Sequence, residues 1–450
     1  MSRLIKLKRG FDIRLSGRAE KKLTGQVTPL LYGVKPPDFP GLIPKLDVRP
    51  GDKVKAGSSL FHDKIRPEVL FTSPVSGMVT AVDRGTKRKI LGVVVEKSGE
   101  EYIDFGKADP GMLTREQIKE RMLASGLWPS VRQRPYNIVA NPADTPKSVF
   151  ISGFDTAPLA PDFYFIVENT SAADLRLGLT AIKKLTEGKI NMVLDGRRND
   201  KTILEDIPEA EITYVSGPHP AGNVGVQIHH IDPVNKGEVV WHINLQDVAA
   251  IGRLFSEGIY RPERIVAITG SEVINTGYCK MLSGGAITPL AENNVKTGNN
   301  RYISGNVLAG VKIPADGFLG YYDSQITVIP EGDHSDFFGW ASPGFNKFSF
   351  FRVFASSLFP KKHYRLDTNL NGGERAFVIT GQYEKVLPMD IYPMHLFKAI
   401  MAGDIDAMEN LGIYEVAEED FALCEYICPS KTEIQSVIRQ GIDLMIKEMS

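Results

Sequence analysis

The sequence predicts a multidomain α/β protein, with a Rossmann-like α/β domain flanked by β-rich modules and closed by a helical C-terminal domain. Three observations predict it. The chain has 450 residues, room for roughly three domains at about 150 residues each. Between about 110 and 270, short apolar runs alternate with amphipathic segments of helical period, as in a sheet covered by helices. On either side the punctuation changes: Gly/Pro turns with short alternating runs dominate 41–97 and 271–330, and helix caps dominate 389–450. These shifts divide the chain into 1–105, 106–262, 263–332, a connecting segment 333–380, and 381–450.

Composition narrows the function classes. A hydrophobic content of 42% suffices for ordinary cores, and a net charge of −1 gives no global attraction to nucleic acid or anionic lipid. The charge is unevenly spread. Residues 1–22 carry eight Lys/Arg and two acids, whereas 399–430 carry eight acids and no Lys or Arg. Such runs are solvated faces or docking faces for a partner of opposite charge. Three cysteines (Cys279, Cys424, Cys428) make no disulfide framework and suit a reducing compartment. The start, "MSRLIKLKRGFDIRLSGR", has no apolar run of signal-peptide kind. No window reaches the length of a membrane span, and the most apolar stretch, "FSFFRVFASSLF", is broken by Arg352. A soluble or at most peripheral chain is expected.

Within 41–97, "DVRPGDKV" centres a type II turn on Pro50-Gly51, since Pro presets φ and Gly accepts positive φ. "SPVSGMVTAV" predicts a second turn at Gly77 followed by a strand through Val79 and Ala81. The pair resembles the two halves of a biotinyl/lipoyl hammerhead, and Asp63-Lys64 lies where carriers hold a modified lysine. The longer spacing from Lys64 to Ser73-Pro74, with no Met beside the lysine, favours a structural hammerhead over a carrier. In the α/β stretch, "KSVFISG", "FYFIVEN", "INMVLDG", "ITYVSG" and "RIVAITG" read as strands. "SAADLRLGLTAIKKLTEG" reads as a helix capped by Ser171 and Asp174, with Leu175, Leu179, Ile182 and Leu185 on one face, ending at Gly188. "DVAAIGRLFSEG" is a second helix. The Gly-rich 271–330 predicts a compact β module. Residues 337–359 hold eight of the 22 phenylalanines, plus Trp340, which reads as core or as an exposed interface. In "SKTEIQSVIRQGIDLMIKE", the pairs Ser430/Glu433 and Thr432/Gln435 form overlapping caps before an Ile434, Ile438, Ile442, Met445 stripe.

Catalytic chemistry is sparse. No phosphate loop of the G-x-x-x-x-G-K-[ST] or G-x-G-x-x-G kind occurs, and "GPHPAGNVG" reads as a plain loop. His219, His229, His230 and His242 with Asp232 lack metal-ligand spacing, and no G-x-S-x-G elbow is present. "CEYICPSK" supplies the last half of a ferredoxin ligand set, Cys424 and Cys428, but Glu418 and Phe421 stand at the other two positions. A cluster needs four thiolates, so ligand count excludes one.

Residues around "CEYICPSK" resemble the ferredoxin-like helical region of the C subunit of Rnf complexes. The first cluster's ligand positions there fall on Gln382, Lys385, Pro388 and Tyr392. The same comparison, extended to the NADH-binding subunit of respiratory complex I, aligns the FMN-holding Gly-rich loop with "ASGLWPS". Ala124, Ser125 and Trp128 replace Gly, Gly and Phe, and side chains there obstruct a flavin phosphate. Taken together, "LIKLKRGFDIRLSGRAE", "SGFDTAPLAPD" and "CEYICPSK" resemble the family of A subunits of the bacterial sodium-translocating NADH:quinone oxidoreductase. That resemblance implies a β-grasp-like (SLBB) module for 263–332 and a clusterless ferredoxin-like domain for 381–450. It also implies a peripheral subunit on the cytoplasmic face of the cell membrane, docked on subunits B to F of a sodium-pumping, respiratory-chain complex. FMN, FAD, riboflavin, the 2Fe–2S centre and the NADH site would lie on other subunits, with no cofactor on this one and quinone (ubiquinone in the named reaction) as its ligand. The chain by itself would not be catalytic. A quinone pocket is expected from Trp128, Arg132, Tyr136, Phe154 and Asp155, with Cys424 and Cys428 as vestigial cluster ligands. The competing reading is a flavin-dependent NADH dehydrogenase subunit of Rnf C or complex I type.

Overall fold

The computed structural model describes residues 3–333, 342–378 and 381–449, and the counts of elements refer to those residues. Four sheets carry the architecture. The N-terminal unit is a barrel sandwich. One of its sheets orders Leu31–Val34, Ile90–Lys97, Gly77–Arg84 and Lys53–Val54, and the other orders Pro44–Leu46, Ser59–Asp63 and Leu70–Thr72. Gly51 turns at φ 95° and the Asp52 N–H donates to Arg49 O at 3.1 Å, as a Pro-Gly turn requires. Gly77 differs from expectation: the bend covers 74–76 and Gly77 opens the strand. Its glycine is needed because a Cβ there would fall 1.9 Å from Glu96 O. Lys64 is exposed at the tip of the 59–63/70–72 hairpin. Beside it, Arg66 bonds Asp63 at 3.0 Å and Val139 O of the next domain at 3.2 Å, which pins the tip.

The α/β domain is a seven-stranded sheet in the order Arg3–Lys6, Ala210–Ser216, Lys189–Asp195, Ser148–Ser152, Val240–Asn244, Val131–Arg134, Ile138–Val139. The first five are mutually parallel, Val131–Arg134 runs antiparallel to Val240–Asn244, and Ile138–Val139 runs antiparallel to Val131–Arg134. The four strands from Ser148 to Asn244 thus follow the 3-2-1-4 order of a dinucleotide-type half. Ser171 caps helix Ala172–Leu185 by accepting from the Asp174 N–H, and its Leu175, Leu179, Ile182 and Leu185 are buried. Helix Leu245–Glu257 crosses it closely. A Cβ on Gly178 would meet Val248 O at 1.9 Å, and one on Gly252 would meet Asp174 O at 1.7 Å.

Two strand readings are corrected. "FYFIVEN" forms helix Phe163–Glu168, because the Asp162 carboxylate accepts from the Tyr164 and Phe165 N–H groups and starts a helical turn. "RIVAITG" is a strand, Glu263–Thr269, but it lies in the next sheet. That six-stranded sheet orders Val311–Ile313, Asn300–Ser304, Gln325–Pro330, Glu263–Thr269, Gly277–Leu282 and Leu23–Gln26.

The C-terminal unit packs helices Pro393–Ala402, Ile405–Asn410, Ala422–Ile427 and Ile434–Met449. Ile434, Ile438, Ile442 and Met445 are fully buried, as the stripe requires. The expected caps do not form: Ser430 Oγ bonds Ala376 O, and Glu425 accepts from the Gln435 N–H at 2.8 Å instead.

A strap formed by residues 3–27 binds these units together. Residues 3–6 add an edge strand beside 213–216. The Gly10 N–H then donates to Lys385 O, and the Phe11 ring packs on Phe348, Phe350 and Tyr426. Further on, Ser16 pairs with Tyr364, Gly17 with Gly270, and 23–26 with 278–280. Gly17 sits at φ 93°, where a Cβ would lie 2.1 Å from Gly270 O.

Candidate functional site

In open α/β sheets, ligands bind outside the carboxyl ends of the strands where the winding direction reverses. Here that point lies between Ser148–Ser152 and Val240–Asn244. A cleft of about 330 Å³ opens there. Its floor is formed by Ser152, Phe154, Asp155 and Asn244, one wall by Asn306, Tyr322 and Asp323 of the six-stranded module, and an end by Glu419 and Ala422 of the helical domain. Three domains therefore enclose one space.

Of the residues expected at a ligand site, the structure brings together Arg132, Phe154 and Asp155. Arg132 leaves its strand with the guanidinium 4.4 Å from the centre of the Tyr322 ring. The Tyr322 hydroxyl donates to Pro129 O at 2.7 Å, so the ring is fixed. Trp128 and Tyr136 lie elsewhere. Trp128 is fully buried, donates its indole N–H to Ala140 O at 2.8 Å, and meets Trp241 edge-on at 5.5 Å. Tyr136 adopts φ 80° and contacts Tyr414 of the helical domain.

Several lining residues carry no signal in the sequence. His219 belongs to "GPHPAGNVG", the segment read as a plain loop. It is buried, and its Nδ1 lies 3.2 Å from Thr156 Oγ1. Burial pushes its pKa down to about 4, so the ring is neutral at physiological pH. Burial also raises the Asp155 carboxyl, although the Ala157 N–H donates to it and holds the rise back. Tyr322, Asp323, Asn306 and Glu419 come from distant segments. Among the lining residues the acids Asp155, Asp323 and Glu419 face a single full cation, Arg132.

Gly222, Gly305 and Gly310 line the cleft, but its charge does not suit a phosphate. Phosphates want backbone N–H groups, glycines and positive charge, whereas the first turn here presents the Asp155 carboxyl. His229, His230 and His242 make contacts within the chain. His229 Nε2 accepts from the Asp390 N–H and its Nδ1 faces Glu415 at 2.7 Å, while His230 Nε2 donates to Pro388 O. His242 is buried against Asn137. Among the described residues no cluster of metal-ligating side chains occurs.

Cys424 lies inside helix Ala422–Ile427 and Cys428 just beyond its end. Both are buried. The Tyr383 hydroxyl sits 3.1 Å from Cys428 Sγ, and Tyr383, Phe397 and Phe421 pack edge to face beside it. Burial holds the Cys424 thiol well above its usual range, with the Glu384 charge adding to the shift. Phe421, at one missing ligand position, is fully buried, and Glu418, at the other, pairs with Arg439 at 3.0 Å. Side chains fill this region.

The helical domain is held against the α/β domain by its acids. Arg134, fully buried, faces Asp420 at 3.3 Å and Glu419 at 3.1 Å. Glu415 meets His229, and Glu409 meets Lys236 at 2.8 Å. The acidic run of 399–430 is thus largely consumed within the chain.

Known proteins share this domain series. Residues 5–98 match the family model described as the NqrA N-terminal barrel-sandwich hybrid domain. Residues 113–260 match the NqrA second alpha/beta domain, and 265–315 the NQRA C-terminal domain. Over 450 residues the chain is 40% identical to the A subunit of the Na(+)-translocating NADH-quinone reductase of Pasteurella multocida, covering 99% of this chain and 100% of that one. Over 444 residues it is 38% identical to the corresponding protein of Yersinia pseudotuberculosis, covering 97% and 98%. Among solved structures, an NAD+-reducing NiFe-hydrogenase in the H2-reduced state aligns over 75% of this chain and 62% of that one, at 11% identity and a TM-score of 0.39.

Proposed function

Because this chain belongs to the family of A subunits of the Na+-translocating NADH-quinone reductase, we propose that it is a peripheral, cofactor-free subunit whose cleft receives the quinone ring. The multisubunit complex supplies the redox centres, and subunits B to F are the partners. This subunit sits on the cytoplasmic face of the membrane. No helix among the described residues is long and apolar enough to cross a membrane, which agrees with a peripheral position.

The lining of the cleft supports this reading. With Glu419 already paired to Arg134, Asp155 and Asp323 still outnumber the single lining arginine, which disfavours a dinucleotide or flavin phosphate and favours an uncharged ring. Phe154 and Leu308 offer apolar contact, while Arg132 and Asn306 offer donors to quinone carbonyls. Phe421 and Tyr383, packed around Cys424 and Cys428, support the reading of those cysteines as remnants of a cluster site.

Two measurements test it. Titrating the purified chain with a short-chain quinone should give saturable binding. Arg132→Ala and Phe154→Ala should each weaken it about tenfold, the loss of one good contact of about 1.4 kcal/mol. Unchanged affinity in both variants removes the cleft as the site. A visible absorption spectrum showing bound flavin would overturn the cofactor-free reading in favour of a flavin-dependent dehydrogenase subunit.

A further inference from the structure

The aromatic segment splits into two populations. Phe348 and Phe350 turn inward, packing on Phe11 at 5.4 and 5.1 Å between ring centres. Phe345, Phe351, Val353, Leu358 and Phe359 are exposed, the most open being Leu358 at 74%. Phe337, Phe338 and Trp340 lie outside the described residues.

The exposed set is held out by a built loop. The Ala355 N–H donates to Pro343 O at 2.8 Å, Ser356 Oγ to Lys347 O, and the Tyr364 hydroxyl to Ser356 O. Lys362 Nζ donates to Phe345 O at 2.9 Å, and the Phe345 and Phe359 rings stand 6.4 Å apart. At its base the loop is tied to the strap by Ser16 and Tyr364, and to the six-stranded module by Arg365 and Glu272 at 2.6 Å. Apolar side chains fixed outward in this way mark a surface that another phase or molecule covers.

Charge identifies that phase. From 342 to 366 there is no Asp or Glu, while Lys347, Arg352, Lys361 and Lys362 are basic, besides Arg365, whose charge is taken up by Glu272. The chain's net charge is only −1, so this basic density is local. Aromatic and aliphatic tips rimmed by Lys and Arg suit the interface of an anionic bilayer, where the rings enter the headgroup layer and the cations meet lipid phosphates.

We propose that the 342–366 loop is a lipid-contact element that seats this chain on an anionic membrane surface. The inference does not draw on the cleft, and its test contains no quinone. The full chain is sedimented with vesicles of phosphatidylcholine alone, and with vesicles of one part phosphatidylglycerol to two of phosphatidylcholine. Binding to the anionic vesicles only, weakened by salt, is expected. The double variant Arg352→Glu/Lys361→Glu should lower the partition coefficient at least tenfold, since each basic residue near the surface is worth about fivefold. Phe345→Ser/Phe359→Ser should lower it on the same vesicles by a comparable factor. No binding to anionic vesicles, or wild-type partitioning by both variants, overturns the proposal. Retention only on vesicles carrying the complex's membrane subunits would also overturn it, assigning the loop to a protein partner instead.

Discussion

Arg134 illustrates how much a single buried charge commits the structure to. Its guanidinium is inaccessible to solvent and depends on Asp420 and Glu419 from another domain. Removing Asp420 leaves that cation short of a partner, so Asp420→Ala should cost about 3–5 kcal/mol, read as a lower urea midpoint. Trp128→Ala should behave similarly, losing about 3–5 kcal/mol of stability from the core while leaving quinone affinity within a few-fold. His219 sets a pH dependence. Its folded pKa of about 4 lies below the ordinary histidine value of 6.5, so the unfolded chain binds the extra proton between them. The stability that a neutral His219 contributes is complete above about pH 6.5 and is lost as pH falls toward 4, a swing of about 3 kcal/mol. Urea midpoints of His219→Gln against pH should lack that acid slope. None of these roles is legible in the sequence. Arg134, His219 and Asp420 are ordinary polar residues until the fold buries them, and nothing in their local pattern signals burial.

At the scale of elements, periodicity was a good guide where a single face decides the outcome. The Leu175, Leu179, Ile182, Leu185 and Ile434, Ile438, Ile442, Met445 stripes are buried as their spacing implies. It failed for Phe163–Glu168, six residues in which apolar content cannot distinguish strand from helix and the Asp162 cap decides. Gly178 and Gly252 look like weak points in two helices, since glycine costs about 1 kcal/mol relative to alanine there. Their value emerges only in the pair, where each lets a backbone carbonyl of the other helix approach. Gly252→Val should therefore destabilise by about 3 kcal/mol or more, because backbone cannot yield as a side chain can. Thermal unfolding followed by circular dichroism would check it. The acidic run of 399–430 gives a related lesson. Its composition offered a solvated face or a foreign partner, whereas the partner is the chain's own α/β domain, and only tertiary structure supplies Lys236, His229 and Arg134.

Across the whole molecule, the order barrel sandwich, α/β domain and β module was legible because turn punctuation and strand–helix alternation change along the chain. The cleft was half legible. Arg132, Phe154 and Asp155 come from the α/β domain whose topology predicts a ligand crevice, but Tyr322 and Glu419 are added by other domains and carry no local motif. Nor are the domains independent. One hydrophobic core runs from Phe71 and Val79 of the barrel sandwich to Trp128, Leu179 and Trp241 of the α/β domain. The strap of residues 3–27 has a consequence for how the protein is made. Its first residues leave the ribosome before any of their partners exist. Lys385, which accepts from Gly10, follows roughly 20–80 s later at ~5–20 residues per second. Until 213–216 are made the edge strand 3–6 travels unpaired, and charges such as the exposed Arg3, Lys6, Lys8 and Arg9 disfavour its pairing with neighbouring chains. The strap therefore closes in stages: residues 3–6 once 213–216 exist, 17–26 once 270–280 exist, and Gly10 only when Lys385 follows.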